Sequence, residues 1–131
     1  MSDESAIREL VTSWVDAVAS RDLDGVVAHH AEDVVMFDVP PPHRGIRGIV
    51  DYRDSWAPFF EWQRSENAIF ELVELHVEAS ADVAFGYALL RCGTAADFEA
   101  NPDNRLRITV GLRKIGDQWT VVHEHHSFPM L

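Results

Sequence analysis

The sequence predicts an α+β fold in which a mostly antiparallel sheet follows a set of helices. Apolar residues recur at three- and four-residue spacing in the N-terminal half, and from Val73 onward they recur at every second position. Helices followed by a series of long strands are typical of α+β proteins. The length of 131 residues suits a single core, and we find no internal repeat, so we expect one domain spanning residues 1–131.

Three helices are expected in the N-terminal half. Ser2 can cap the first helix, and Asp22 can cap a short second helix that ends near His29. The apolar stripe of the first helix consists of Ile7, Leu10, Val11, Trp14, Val15 and Val18. A third helix is expected to begin within residues 46–49, and Pro58 should end it or kink it.

Extended segments account for most of the remaining chain. The predicted strands are residues 34–39, 73–77, 83–92, 105–113 and 119–128. The strand at 83–92 is apolar on both faces, so we expect both faces to be covered. The small residues on one of its faces leave room for a helix, another subunit or a ligand. Residues 94–104 are expected to form a long hairpin connection.

Composition and charge exclude several classes of function. The chain is 47% hydrophobic, and its 22 acidic and 11 basic side chains give a net charge of −11. This acidic balance opposes nonspecific binding of nucleic acid or of anionic membranes, since both need clustered lysine and arginine. The N-terminus lacks a signal-peptide pattern and no apolar run reaches membrane-spanning length, so we expect a cytoplasmic protein.

The sequence contains no cofactor-binding signature. The single cysteine, Cys92, excludes an internal disulfide and a cysteine-rich zinc site. We expect Cys92 to be a small buried apolar residue rather than a nucleophile. A phosphate-binding glycine loop and a nicotinamide-binding fingerprint are both missing, so we expect no organic cofactor.

Two segments resemble the nuclear transport factor 2-like superfamily, and more narrowly its ketosteroid isomerase and SnoaL-like branch. Residues 14–38 contain a helix, an Arg-Asp-Leu-Asp-Gly elbow, a short helix and an acidic strand in the order found there. Residues 116–129 resemble the last strand of SnoaL-like proteins and of the association domain of calcium/calmodulin-dependent protein kinase II. The resemblance implies a cone-shaped sheet curved around three N-terminal helices, with a pocket at the wide end. It also implies a homodimer that pairs through the outer surface of the sheet.

Asp38 is the candidate general base. It follows the apolar run of residues 34–37 and precedes three prolines, which cannot donate backbone hydrogen bonds. A carboxylate among apolar groups has a raised pKa, as a base acting near neutral pH requires. By the resemblance, Asp38 matches the aspartate that moves a proton between carbons in ketosteroid isomerases. Alternatively, Asp38 accepts backbone N–H groups of the following turn.

The resemblance also implies hydrogen-bond donors for an enolate oxygen. Ketosteroid isomerases place a tyrosine on the first helix and a protonated acid on the penultimate long strand, and the matching residues here are Trp14 and Thr109. An indole N–H or a hydroxyl can donate, although both are less acidic than the groups they replace. Trp14 can equally be an ordinary core residue.

Residues 123–127 read His-Glu-His-His-Ser, which concentrates titratable groups in one strand. His123 and His125 would share one face, and Glu124 and His126 the other. A catalytic zinc would need a third ligand from elsewhere in the chain, and we predict no metal site. By the resemblance, His126 and Glu124 face the pocket, where the pair could act as acid or base or bind an anion. The alternative is a buried polar network.

Further candidates for ligand binding are Arg107, Trp56 and Phe60. Arg107 lies on the same face of its strand as Thr109, and on a concave face its guanidinium could bind a carboxylate or enolate oxygen. On an exposed face, Arg107 would be an ordinary surface residue. Trp56, Phe59 and Phe60 of the third helix would form an apolar wall, or would simply be core residues.

These observations predict a protein that binds a small apolar carbonyl or carboxylate ligand. The leading hypothesis is an isomerase or lyase that uses Asp38 as general base, with Thr109, Trp14 or His126 as donors to the substrate oxygen. The alternative is a noncatalytic ligand-binding or dimerisation module, which would bind small acids through Arg107 and His126 without turning them over.

Overall fold

The computed structural model describes residues 2–131 and has the predicted α+β architecture. The helices are α1 (Asp3–Ser20), α2 (Leu23–Val27), α3 (Ile49–Asp54), α4 (Trp56–Glu66) and α5 (Ala95–Ala100). The strands are β1 (His30–Phe37), β2 (Ile46–Arg47), β3 (Ile69–Ala79), β4 (Val83–Gly93), β5 (Leu106–Ile115) and β6 (Gln118–Ser127). They form one curved sheet in the order β2–β1–β6–β5–β4–β3, in which only the β1–β6 pair is parallel.

The first two helices begin at the predicted caps. The side chain of Ser2 accepts a hydrogen bond from the backbone N–H of Ser5, and that of Asp22 accepts one from Gly25. Arg21 ends α1 in the left-handed conformation, with a φ of 60°. The chain therefore turns sharply from α1 into α2, and β1 begins at His30.

The predicted third helix is split in two, and the break does not lie at Pro58. The chain leaves α3 at Ser55 and enters α4 at Trp56, so that Pro58 lies in the first turn of α4. A proline is tolerated there because the first N–H groups of a helix have no partner within it. The break lies one turn before Pro58, which agrees with the predicted kink, because a proline has no N–H to donate to the carbonyl oxygen of Asp54, four residues earlier. The chain then continues as α4 to Glu66.

The small residues of β4 accommodate helix α1. Gly86 and Ala88 lie on the concave face of the sheet, next to Val11 and Trp14 of α1. Each apolar side chain that is fully buried here contributes about 1.5–3 kcal/mol. The opposite, convex face of β4 is exposed in the single chain, and the expectation that a second copy covers it stays a prediction.

A short helix within the connection from β4 to β5 was not predicted. Thr94 caps α5 by accepting from the N–H of Asp97, and the Asp97 side chain accepts from the N–H of Thr94 in return. The helix has six residues and no buried side chain, so its sequence carries no apolar periodicity. No helix of residues 2–131 is long and apolar enough to cross a membrane.

Candidate functional site

An open cavity of about 880 Å³ lies between the concave face of the sheet and helices α4 and α5. Its walls carry six aromatic side chains, namely Trp56, Phe59, Trp62, Phe70, Phe98 and Phe128. The charged and titratable residues among those lining it are Asp38, Asp97, His126 and Cys92, and no lysine or arginine of residues 2–131 lines it. The volume lies within the range of small-molecule sites in proteins, roughly 300–1,000 Å³.

Asp38 and His126 face each other at the wall of this cavity. Asp38 directly follows β1, and its side chain is 30% exposed. Its Oδ1 accepts a hydrogen bond of 2.8 Å from the N–H of Val39 and lies 3.5 Å from Nδ1 of His126. That second distance exceeds a normal hydrogen bond, so the Nδ1 position is not committed to Asp38 and can serve a ligand oxygen.

Behind His126 lies the buried carboxylate of Glu124, which is 1% exposed. Its Oε1 accepts from Nε2 of His126 at 2.9 Å. Its Oε2 accepts from the Tyr52 hydroxyl at 2.7 Å and from Nε2 of His30. The Tyr52 oxygen in turn accepts from the Trp14 indole N–H at 3.1 Å. Three donors therefore satisfy one buried charge, as a carboxylate in the interior requires.

The hydrogen-bond partners of His30 require a doubly protonated ring when Glu124 is ionised, and the charge of the nearby Asp38 favours the same state for His126. His126 lies between the carboxylates of Asp38 and Glu124, and His30 lies between Glu124 and the carbonyl oxygen of Ala28, 2.9 Å from its Nδ1. Carboxylates and carbonyls only accept hydrogen bonds, so both ring nitrogens of His30 and Nε2 of His126 must donate. A proton on Nδ1 of His126 is favoured by the negative charge of Asp38, 3.5 Å away. Two imidazolium ions then balance two carboxylates, and the cluster is neutral.

The local electrostatics favour the same charges. Burial lowers the pKa of His126, but the facing Asp38 and Glu124 carboxylates outweigh it and raise that pKa to about 9. For His30, burial is again opposed, by the hydrogen bond and charge of Glu124, and its pKa is raised. Burial would raise the pKa of Glu124, yet the bonds from His126 and His30 hold it well below its usual range.

The predicted direction of the Asp38 pKa shift is wrong. Burial does act to raise it, but the nearby His126 imidazolium and the N–H of Val39 together act more strongly, and the pKa of Asp38 is lowered. The apolar residues before Asp38 predicted its burial, but they carried no information about the imidazolium that faces it. Asp38 is therefore ionised at neutral pH, and as a base it is weaker than the sequence predicts.

Thr109 and Arg107 are not part of the cavity, which corrects two site predictions. The alternate residues Leu106, Ile108 and Val110 of β5 are buried against the helices, so Arg107 and Thr109 point to the convex face. Arg107 donates to the Ser127 hydroxyl at 3.2 Å on that face. Arg107 and Thr109 do share one face of β5, as predicted, but the apolar residues of the strand occupy the concave face.

The aromatic candidates divide between the cavity wall and the core. Trp56 and Phe59 line the cavity, as predicted, whereas Phe60 does not. Phe60 packs against the core beside Trp56. Trp14 lies behind the wall, and its ring centroid is 6.0 Å from that of His126. Its indole N–H donates a hydrogen bond to the Tyr52 hydroxyl. Trp14 is therefore not a donor to a ligand oxygen, and neither Trp14 nor Phe60 is a wall residue.

The histidine-rich segment divides between the two faces of β6 as predicted. His126 and Glu124 are buried on the concave side, while His123 and His125 flank Phe37 on the other side. The expectation that Glu124 faces the pocket is wrong, because its carboxylate lies behind the His126 ring and does not line the cavity. His123 Nδ1 lies 2.7 Å from the carbonyl oxygen of Val35. Among residues 2–131, no group of three histidine, cysteine, aspartate or glutamate side chains has the geometry to hold a metal ion.

Sequence reasoning missed His30 and Tyr52, the two residues that complete the network. His30 begins β1 and its side chain is 1% exposed. Tyr52 lies on α3 and is buried. The signal that the sequence offers is the helical spacing that places Tyr52 on the buried face of α3.

Cys92 lines the cavity and is chemically inert at neutral pH. Burial, reinforced by the negative charges of Asp97 and Asp38, raises the pKa of its thiol to about 12. A protonated thiol is a poor nucleophile. Cys92 is partly exposed at the cavity wall rather than fully buried as predicted, and it contributes a small, weakly polar surface there.

Folding stability is expected to be greatest in mildly acidic solution. The raised pKa of His126 adds stability that is complete below the unfolded value of 6.5 and disappears as the pH rises through about 9. The lowered pKa of Glu124 adds stability that is present above its unfolded value of 4.5 and lost as the pH falls. Urea denaturation across this range tests the prediction, and a His126→Gln variant should show a smaller alkaline decline.

Comparisons with known proteins agree on the architecture. The family model described as a SnoaL-like domain matches residues 7–131. An NTF2-like protein of unknown function from Pseudomonas putida is 36% identical, with a TM-score of 0.83 over 98% of this chain and 87% of that chain. No curated protein matches the sequence.

Two more distant structures show likeness in fold alone. An NTF2-like protein with a cystatin-like fold from Novosphingobium aromaticivorans is 16% identical, with a TM-score of 0.75 over 96% of this chain and 81% of that chain. A ketosteroid isomerase-like protein from Erwinia carotovora atroseptica is 18% identical, with a TM-score of 0.73 over 99% of this chain and 98% of that chain.

Proposed function

Because this chain belongs to the SnoaL-like domain family within the NTF2-like proteins, we propose that it is an isomerase or lyase acting on a small apolar carbonyl compound. The observation that carries the proposal is the Asp38 carboxylate facing the His126 imidazolium, 3.5 Å away, at the wall of an aromatic cavity. The ketosteroid isomerase-like name of the Erwinia protein supports the same class of reaction.

The pair supplies a base and an acid to one substrate. Asp38 removes a proton from the carbon next to the carbonyl group, and the electron pair of the broken C–H bond moves to form an enolate. The Nδ1–H of His126 donates a hydrogen bond to the enolate oxygen, where negative charge develops. In an isomerase, Asp38 then returns the proton to a different carbon. In a lyase, a β-hydroxyl leaves as water with a proton from His126, and Asp38 passes its proton back to His126.

The lining of the cavity favours an uncharged ligand. Asp38 and Asp97 are both acidic, and the sole cationic group in the wall is His126, whose charge Asp38 and Glu124 already balance. Arg107, which was expected to bind a carboxylate, lies on the opposite face of the sheet. An anionic ligand would therefore lose its hydration without gaining a free cation in exchange.

Proton exchange in heavy water tests this function. Uncharged aromatic ketones with acidic α-hydrogens are incubated with the protein, and deuterium incorporation at the α-carbon is followed by NMR. The proposal predicts saturable acceleration over buffer. A ketone that quenches the fluorescence of the cavity residues Trp56 and Trp62, yet shows no accelerated exchange, would instead identify a noncatalytic ligand-binding module.

We further propose that the convex face of the sheet pairs with a second copy of this chain. Val73, Val83, Phe85 and Tyr87 are each about half exposed there, with exposed fractions of 46–56%. The acidic strand β3, with Glu74 and Glu78, and the basic strand β5, with Arg107 and Arg113, flank β4 on opposite sides. A twofold axis along β4 places each acidic strand over the partner's basic strand.

Sedimentation analysis tests this pairing. The wild type is expected at twice the chain mass of 14.8 kDa, and Phe85→Lys at the mass of one chain, because it puts two like charges beside the axis. The control is Val50→Lys, which changes an exposed apolar residue of α3 away from the sheet. A wild type of single-chain mass at high concentration rules the dimer out.

A further inference from the structure

His30 and Tyr52 lie outside the cavity but hold one of its functional groups through Glu124. Neither residue lines the cavity, and both are buried. Their donors converge on Oε2 of Glu124, which leaves Oε1 for Nε2 of His126. We propose that His30 and Tyr52 are positioning residues that fix the Glu124 carboxylate, so that His126 is held with its Nδ1–H directed at Asp38 and the ligand. This inference rests on the proposed function for its catalytic meaning.

Each positioning residue is itself anchored by a contact that fixes its direction of donation. Nδ1 of His30 donates to the carbonyl oxygen of Ala28, and the ring stacks on Tyr52 with centroids 4.7 Å apart. The Tyr52 oxygen accepts from the Trp14 indole, so its own proton is left for Glu124. The carboxylate therefore has one favoured orientation rather than several.

The orientation of Glu124 decides that of His126. A histidine ring can rotate about its terminal torsion, and the edge contacts of Trp14 and Trp56, with centroids 6.0 and 6.4 Å away, restrict this rotation without selecting a hydrogen-bond direction. The bond from Nε2 to Glu124 does select it, and it turns Nδ1 towards Asp38. Buried residues on α1, on α3 and at the start of β1 thus fix the direction of the Nδ1 proton of His126 at the cavity wall.

The titratable groups around His126 all belong to this network or to the cavity. They are Asp38 after β1, Glu124 on β6, His30 on β1 and Tyr52 on α3, and the cavity lining adds Cys92 on β4 and Asp97 on α5. Tyr52 and Cys92 stay protonated at neutral pH, because burial raises the pKa of each. Within the network, the charges that act on the His126 ring are therefore those of Asp38, Glu124 and His30.

Two kinds of variant separate positioning from packing. His30→Leu keeps much of the ring's volume without a donor, whereas His30→Gln keeps a donor that can reach Glu124. Tyr52→Phe removes only the hydroxyl and preserves the aromatic packing, so it tests the proposal even if His30→Leu does not fold. The primary readout is the exchange rate with water of the His126 imidazole protons, measured by heteronuclear NMR, which requires no substrate.

Tyr52→Phe and His30→Leu are expected to speed this exchange about fivefold or more, the factor that corresponds to about one lost hydrogen bond. His30→Gln should restore a rate close to the wild type. With ketone substrate, the variants should lower kcat for α-proton exchange and leave KM unchanged, since the cavity wall is intact. Wild-type NMR exchange rates in both Tyr52→Phe and His30→Leu overturn the proposal. A wild type without ketone exchange refutes the proposed function and leaves the NMR result standing.

Discussion

Replacing Asp38 with asparagine is expected to slow α-proton exchange by about 10²–10⁴-fold, the usual contribution of a general base. Asparagine has nearly the same shape, and its carbonyl oxygen can still accept from the N–H of Val39. It cannot take up a proton from carbon, and it leaves the His126 imidazolium without the carboxylate that faces the cavity. The loss should appear in kcat, because the aromatic wall that binds the ketone is untouched.

The matched control for this change is Asp33→Asn. Asp33 lies on the same strand, β1, and is exposed, so the variant removes one negative charge without altering the cavity. Its exchange rate should equal that of the wild type. Equal rates in Asp38→Asn and the wild type would remove Asp38 from the mechanism, whatever the effect of the control.

Replacing Glu124 with glutamine is expected to lower the free energy of unfolding by about 3–5 kcal/mol, the range found when one member of a buried ion pair is removed. Glu124 is 1% exposed and is the common partner of His30 and His126. Without its charge, both imidazoles must either lose a proton that they donate or stay charged in the interior. Either outcome leaves unsatisfied groups in the core.

Urea denaturation in mildly acidic buffer measures this effect. Glu9→Gln serves as the control, because Glu9 is exposed on α1, and a surface substitution of this kind changes stability by less than about 0.5 kcal/mol. A Glu124→Gln protein as stable as the Glu9→Gln control would show that the charge of the buried carboxylate makes no net contribution to the free energy of unfolding.

Local rules predicted most of the architecture. Ser2 and Asp22 cap helices because a short side-chain oxygen satisfies N–H groups that lack a partner, and that signal is contained within four residues. The recurrence of apolar residues at every second position is also a local signal, and it identified the long strands. Helix α5 escaped because it buries no side chain, so only its capping box marks it.

The site was predictable only where it depended on a single residue or on one strand. Asp38 and His126 were assigned to the pocket, and both line the cavity. Arg107 and Thr109 were misplaced because alternation separates two faces of a strand without saying which one is concave. The direction of the Asp38 pKa shift was predicted wrongly because its partner, His126, is distant in sequence.

The central claim is that a protonated His126 faces an ionised Asp38 at the cavity wall. Titration of the His126 ring nitrogens by heteronuclear NMR tests it most directly, since the chemical shifts of both nitrogens report whether each carries a proton. The ring should remain doubly protonated through neutral pH and titrate at a pKa of about 9. A neutral ring at pH 7, with a pKa at or below about 6.5, would contradict the account.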